Sequence, residues 1–330
     1  MTDALRLRMR RQGLAGPLAT DVVGAARAAG LQAQDLGASR LAVRARSRGL
    51  TLADVVRAVN EGTVVRTWLM RGTLHLVPAE DVRWLVALFG PLLVRRDRRR
   101  RLQLGLDDDL CERALAALPD VLAGGPLTRA ELVHGLGLTL TGQAPAHLMA
   151  FAAASGVICR GPERGAEATY VLLDRWVPAG VAVDGGAVEL ARRYFASFAP
   201  ATADDFVAWS GLPAGPARAA AEASGEPVPV TVEGEPAWRL LPAFDSYLVG
   251  YRSRAPALDP QYAARINAGG GWVHPAVVRN GRIVGTWRLR DKTVAVELFG
   301  TRPRGARAAL EEEAADVGRF LGLEARLTIC

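Results

Sequence analysis

Three times along the chain a set of helix-period stretches gives way to a pair of β-rich runs, and this repeated change of period limits the fold more than any single residue does. The first set reads as helices at Thr2 to Gln12, Thr20 to Ala29, Asp35 to Arg46 and Leu52 to Asn60. Val64 to Met70 and Thr73 to Val77 follow, separated by Arg71-Gly72 in the pattern of a hairpin. The second set has helices at Asp107 to Leu122, Thr128 to Leu136 and Gly142 to Ser155, then Val157 to Arg160 with Thr169 to Trp176. The third has Ala187 to Phe198, Thr202 to Ser210 and Pro213 to Ala223, with Val228 to Val232 and Trp238 to Leu241 as strands. Helices followed by a hairpin is the order of a winged helix. The expectation is therefore an α+β chain with three tandem winged-helix modules at residues 1–104, 105–180 and 181–241. Residues 242–330 read as a β-rich, barrel-like domain, with Asn280-Gly281 as a tight hairpin turn and a helix from Arg304 to Leu321.

Composition narrows the class of partner. Of 330 residues half are hydrophobic, enough to bury a sizeable core, and no apolar run is long enough to span a membrane. The formal charge is +7, and Lys292 is the single lysine against an arginine-rich background. That sign favours a polyanion without saying which one. Cys111, Cys159 and Cys330 lie far apart and away from any histidine cluster, which argues against a zinc site or a disulfide framework. The basic N-terminus leads into no signal-peptide core, so a cytoplasmic protein is expected. Gly124-Gly125 and Gly269 to Gly271 lack the strand-to-helix setting and the Lys-Ser/Thr of a phosphate-cradling loop.

Four stretches carry candidate chemistry. Leu31-Gln32-Ala33-Gln34-Asp35 sets two uncharged amides two residues apart before a helix, and in an extended segment such residues share a side. Asp35 suits the N-cap of that helix, which runs through the arginine-laced stretch Ser39 to Arg48. In the first hairpin Arg71, Thr73 and His75 alternate with apolar residues, giving one polar face; His75 reads first as a structural histidine at the sheet edge, ahead of a binding contact. A long helix from about Pro78, expected to bend or break at Gly90-Pro91, leads into six arginines between Arg95 and Arg101, a solvated run or a phosphate contact. His134, His147 and Trp272 to Pro275 read as structural.

These stretches resemble the winged-helix alkylpurine DNA glycosylases of the AlkZ and YcaQ type, the family associated with azinomycin resistance. The resemblance spans nearly the whole chain. It rests on Leu31 to Asp35, Arg66 to Pro78, Leu241 to Arg252 and Gly281 to Arg288. It implies three tandem winged helices and a β-barrel forming a C-shaped channel for duplex DNA. The family's catalytic signature is Gln, an apolar residue, then Gln or Asp, and Gln32-Ala33-Gln34 is similar to its Gln/Gln branch. The implied activity is monofunctional hydrolysis of the N-glycosidic bond of cationic alkylated purines, bulky adducts and interstrand crosslinks among them, in repair or self-resistance. Gln32 and Gln34 are then the catalytic residues. Arg71, Thr73, His75, Arg44, Arg46, Tyr251 and Arg252 are candidates for contact with lesion or DNA, and Asp245 has no assigned role. No cofactor or metal is expected, and the partner is double-stranded DNA bound by a monomer. The residues alone leave two other readings open: a non-catalytic winged-helix regulator, and a protein that sequesters lesions without cleaving them.

Overall fold

The computed structural model describes residues 2–16, 18–27, 30–165, 167–179, 183–232 and 237–330. In chain order the elements begin with α1 (Thr2–Arg11), α2 (Val22–Arg27), β1 (Leu31–Gln32), α3 (Leu36–Arg46) and α4 (Leu52–Asn60). Ala28 and Ala29, expected at the end of the second helix, lie outside the described residues. Next come β2 (Val64–Trp68), β3 (Leu74–Pro78), α5 (Ala79–Gln103), α6 (Asp108–Val121), β4 (Leu127–Thr128), α7 (Arg129–Gly135), α8 (Ala144–Ala154), β5 (Ile158–Arg164), β6 (Glu167–Leu172) and the single turn α9 (Leu173–Trp176). The remainder is α10 (Gly186–Phe198), α11 (Ala203–Ser210), α12 (Ala214–Ala223), β7 (Trp238–Leu241), α13 (Ser246–Val249), α14 (Ala263–Ile266), β8 (Asn267–Gly269), β9 (Trp272–Val273), β10 (Ala276–Arg279), β11 (Arg282–Arg290), β12 (Thr293–Leu298), α15 (Ala306–Leu321) and β13 (Arg326–Ile329). The result is an α+β chain in two compact units. One is discontinuous, residues 1–55 with 187–330, and the other is residues 56–186.

In the discontinuous unit a five-stranded sheet runs in the order β13-β12-β11-β10-β7. Asn280 and Gly281 take φ of 48° and 81° at the β10–β11 turn, and Arg279 pairs with Arg282 across it. Positive φ at both central residues is what a two-residue type I′ hairpin needs. β13 runs parallel to β12, a geometry that requires a crossover, and α15 supplies it. Trp238, Leu240, Trp287, Val294 and Val296 pack on Leu310, Ala314 and Val317 of α15. This open sheet with two edges differs from the expected barrel, because the final strand returns beside β12 and not beside β7. The third set of helices departs from expectation for a related reason. Val228 to Val232 forms no strand, and Trp238–Leu241 joins β10 of the C-terminal sheet. Among the described residues, α10 to α12 carry no hairpin wing of their own. They are held instead by an aromatic stack in which Tyr194 lies 4.6 Å from Phe198 and 4.9 Å from Trp209.

The continuous unit repeats helices and hairpin most legibly. Its strands take the order β3-β2-β5-β6-β4, and α6, α7 and α8 pack Leu118, Leu132, Leu148 and Met149 against Ile158, Tyr170 and Leu172 of the sheet. The break expected at Gly90-Pro91 does not occur, since α5 is one helix of 25 residues. Pro91 removes the donor for the Ala87 carbonyl, but both residues are exposed, where solvent is available to that acceptor. Gly90 faces inward, where a Cβ would stand 2.1 Å from the carbonyl oxygen of Ala154. The glycine is therefore a close-approach residue between α5 and α8. No helix among the described residues is long and apolar enough to cross a membrane.

Gly90→Ala sets two effects against each other. Helix propensity favours alanine by about 0.5–1 kcal/mol, whereas driving a methyl into a backbone carbonyl costs about 1–3 kcal/mol. The variant should unfold at lower urea than wild type, and an equal or higher midpoint would show that α8 can move aside.

Candidate active site

Gly30 takes φ of 57° and donates its N–H to the Ala26 carbonyl at 3.0 Å, ending α2 in the left-handed conformation that favours glycine. The chain then extends. Leu31 and Ala33 are fully buried, whereas Gln32 is half-buried and Gln34 exposed. That alternation sets both glutamines on the side opposite the core, as the spacing predicts. Asp35, with φ −95° and ψ 123°, caps α3 by accepting the Ala38 N–H at 2.7 Å. The amide pair therefore sits on a short extended stretch between two helix termini. Both backbone ends are specified by local chemistry.

The helix that follows is anchored from its far end. Arg46 donates Nη1 and Nη2 to the two carboxylate oxygens of Asp245 at 2.7 and 2.8 Å, with both side chains buried. Arg44 donates Nη1 to Glu313 and Asp316, each at 3.1 Å, and Nη2 to the Leu240 carbonyl at 2.6 Å. Glu313 also accepts the Leu240 N–H at 2.8 Å, so α3, β7 and α15 meet at one carboxylate. This corrects the expectation that Arg44 and Arg46 contact DNA. They are 2% and 1% exposed, and the bidentate pairing of Arg46 with Asp245 and the bonds of Arg44 to Glu313, Asp316 and Leu240 commit their guanidiniums to the interior.

The Leu241 to Arg252 stretch supplies most of this anchorage. Asp245 accepts the Tyr247 N–H at 2.9 Å, and the buried Ser246 hydroxyl donates to the Gly30 carbonyl at 3.4 Å. Neighbouring residues thus reach both the base of α3 and the start of the glutamine segment. The Tyr247 hydroxyl donates to Gly281 at 2.7 Å, and the Trp287 indole N–H to Leu241 at 2.7 Å, so the Gly281 to Arg288 stretch braces the same region. Tyr251 is enclosed: its hydroxyl donates to Phe198 at 2.9 Å and accepts from Gln12 at 3.1 Å, beneath the Arg8 guanidinium at 3.8 Å from the ring centroid. Arg252 is exposed but ion-paired with Asp204 at 2.8 Å, while its N–H donates to Asp205 at the start of α11. Both residues brace α10 and α11. Sequence reading had no signal for Glu313, because its partners are remote in the chain.

In the continuous unit the structure gathers Arg71, Thr73 and His75 in one turn. Arg71 has φ of 54°, and its carbonyl accepts from Arg96 at 2.9 Å. His75 Nδ1 lies 3.0 Å from the Thr73 carbonyl. The polar open face expected for this strand is absent, since every residue of β3 is buried. Burial, with the Arg71 charge, pushes the His75 imidazole down to about 3, so the ring is neutral. Burial likewise lowers Arg71 to about 10, leaving it charged at neutral pH. Of the six arginines from Arg95 to Arg101, Arg101 is buried against Phe151 and the other five are exposed. Arg96 and Arg98 pair with Asp97 and Asp108. Among the described residues no cluster of His, Cys, Asp or Glu is arranged to hold a metal ion.

Two measurements check this arrangement. Asp245→Ala leaves Arg46 buried without its carboxylate and should cost about 3–5 kcal/mol in urea denaturation; a loss below about 1 kcal/mol would mean the helix is held otherwise. For His75 the folded value lies below the unfolded one of about 6.5. The unfolded chain therefore binds the proton first, and this stability is complete above pH about 6.5 and lost as pH falls toward about 3. His75→Gln should flatten that acid limb, and an unchanged slope would show that the ring does not titrate there.

Comparison with known proteins places the chain. The family described as DNA glycosylase AlkZ-like matches residues 25–320. The Interstrand DNA cross-link repair glycosylase of Streptomyces sahachiroi is 30% identical, over 96% of this chain and 95% of that one. The solved structure of Streptomyces sahachiroi DNA glycosylase AlkZ shares the fold, with a TM-score of 0.83 at 24% identity, covering 100% of this chain and 99% of the other. Enzymatic base removal, and not mere regulation of or binding to DNA, is the activity of this group. The chain belongs to the AlkZ-like DNA glycosylase family and is a DNA glycosylase that acts in DNA repair.

Proposed function

We propose that this chain hydrolyses the N-glycosidic bond of cationic N7- or N3-alkylated purines in duplex DNA, with Gln32 and Gln34 as its catalytic residues. The observation that carries this reading is the outward placement of two amides on an extended segment whose alternate residues are fully buried. An alkylated purine already carries positive charge, so the bond electrons pass to the ring nitrogen and the base leaves neutral. Little protonation by the enzyme is needed. The barrier lies in the oxocarbenium-like sugar, which amide oxygens stabilise by their dipoles while holding a water in line with C1′. The water oxygen bonds to C1′ and its proton passes to solvent. A glutamine amide has no basic pair fit to take that proton at neutral pH, so its contribution is orientation and electrostatics.

The relative from Streptomyces sahachiroi is named for interstrand crosslink repair, which supports bulky adducts and crosslinks as substrates here, in repair or self-resistance. A crosslinked base cannot swing fully out of a duplex, and exposure of Gln34 suits attack on a base left largely in place. We read residues 105–180 as a winged-helix module, with the sheet of the C-terminal stretch as the β-rich support, in a monomer acting in the cytoplasm. The half-buried Arg71 and Thr73 are kept as DNA or lesion contacts. Arg95 and Arg99, exposed and one helical turn apart on α5, are read as phosphate contacts.

The test is base release from duplexes carrying N7-alkylguanine as a monoadduct and as an interstrand crosslink. Gln32→Ala combined with Gln34→Ala should slow release by at least about a hundredfold, the scale of losing aimed dipoles, while duplex affinity stays within about twofold. Release at the wild-type rate would remove the pair from the chemistry. Release from the monoadduct alone would exclude crosslinks.

A further inference from the structure

The C-terminal sheet has two unlike faces. Trp287, Val294 and Val296 pack on Leu310, Ala314 and Val317 of α15, and the residues one position along each strand point the other way. On β11 these are Arg288 and Arg290. The ladder sets them beside Ala295 and Thr293 of β12, which lie in turn beside Thr328 and Arg326 of β13. Arg288, Arg290, Arg326 and Thr328 are exposed, and so is Lys292, the single lysine of the chain. Lys292 stands in the two-residue turn between β11 and β12, where φ is 46° at Asp291 and 63° at Lys292. The second place of such a turn is usually glycine. Further along the same face, Ala276 of β10 is the ladder partner of Thr286 and is enclosed with Leu5 and Met9 of α1. The covered half therefore ends near β10, and the half over β11 to β13 is open.

Among the described residues, none of the side chains of Arg288, Arg290, Lys292 and Arg326 makes a hydrogen bond or ion pair. Exposed arginines elsewhere in the same unit are paired: Arg218 and Arg252 with Asp204, Arg307 with Glu311 and Arg319 with Asp316. On the open face the acid Glu297 is taken by Arg265 at 2.5 Å, and Asp291 and Glu324 stand exposed at its edge without bonding to any of the four. Arg288 and Arg290 are two residues apart on one strand, about 6.8 Å, and Arg290 and Arg326 lie two strands apart across Thr293, about 9.6 Å. Both spacings fall within the screening length of about 10 Å at 0.1 M salt, so their fields add. Cations on an edge strand discourage sheet-to-sheet pairing, which would account for Arg326. It does not account for Arg288 and Arg290, because β11 has a neighbour on each side. The residues between the cations are threonine and alanine, whose short side chains leave the surface low enough for a rigid polyanion to reach the cations.

We propose that this open face binds the sugar-phosphate backbone of duplex DNA, with Arg288, Arg290, Lys292 and Arg326 as its phosphate contacts. Charge complementarity carries the surface, since unpaired cations without an apolar anchor among them suit a polyanion. That the polyanion is DNA rests on the family assignment, and nothing in the proposal depends on Gln32 and Gln34. Backbone contacts of this kind fix the position of a duplex and carry no sequence information, so the face holds DNA without selecting a base.

Because Lys292 is the single lysine, an amine-acylating reagent reports on this face in the full wild-type chain. The chain is treated with the N-hydroxysuccinimide ester of acetic acid, with and without a saturating undamaged duplex at low salt. A free peptide in the same tube fixes the strength of the reagent, and modification of Lys292 is read by peptide mass spectrometry. Bound duplex should slow acylation of Lys292 several-fold. In a second arm, Arg288→Gln combined with Arg326→Gln, both exposed changes, is checked for wild-type circular dichroism and titrated with the duplex by fluorescence anisotropy over a salt series. The variant should lower the slope of log affinity against log salt by about 0.9 for each phosphate contact given up. Protection of Lys292 together with a lower slope supports the face. Equal acylation with and without duplex overturns it, and so does an unchanged slope in a folded variant. The protection arm needs no variant, so a misfolded double substitution still leaves a decisive result. Undamaged duplex is used throughout, which keeps the outcome separate from base release and from the role of the glutamines.

Discussion

The helix that follows the glutamine segment takes its direction from a buried ion pair whose two halves are 199 residues apart in sequence, Arg46 and Asp245. An isolated guanidinium in that position would be prohibitively costly, and the bidentate geometry that makes it tolerable also fixes the direction of α3. Because Asp35 begins the same helix, direction is passed back to Gln34 and Gln32 without a flexible joint. Arg44 adds a second fixed point through Glu313 and Asp316. Two weakly polar amides can be useful in catalysis only if they are held before the substrate arrives, since an amide that must reorganise gives up its electrostatic advantage. On the proposed reading, the arginines of α3 hold the glutamines in place without taking part in the chemistry.

Charge is put to different uses in different places. Arginine's fork and persistent charge suit both interior pairing and phosphate contact, so composition alone cannot separate the two. The structure does. Arg44, Arg46 and Arg101 are interior, Arg252 and Arg218 share Asp204 at the surface, and Arg95 and Arg99 stand exposed on α5. Exposed pairs of the Asp204 kind contribute little stability, being screened by water. A formal charge of +7 therefore overstates some faces and understates others.

Local signals in the sequence translated well. The Asp35 cap and the Asn280-Gly281 turn each depend on atoms within a few residues, and each is where its pattern places it. The alternation around Gln32 and Gln34 was legible for the same reason. What could not be read was long-range pairing. Arg44 and Arg46 looked like surface charge because their acids lie 199 to 272 residues onward. Trp238–Leu241 looked like half of a wing because β10 comes later in the chain. Pro91 looked like a break because its own chemistry forbids a hydrogen bond, and only the exposure of Ala87 shows that the loss is harmless.

The interrupted path of the first unit also sets an order of events during synthesis. Residues 31–34 leave the ribosome early, the 56–186 unit follows as one continuous stretch, and the acids that lock α3 come last, at positions 245, 313 and 316. Domains generally fold as units as they emerge, so the middle of the chain can settle while the glutamines still lack their clamp. A nascent chain truncated anywhere before α15 carries both amides and neither of the acids that orient Arg44. On the reading proposed above, a prematurely terminated product carries the catalytic amides without the contacts that orient the helix beside them.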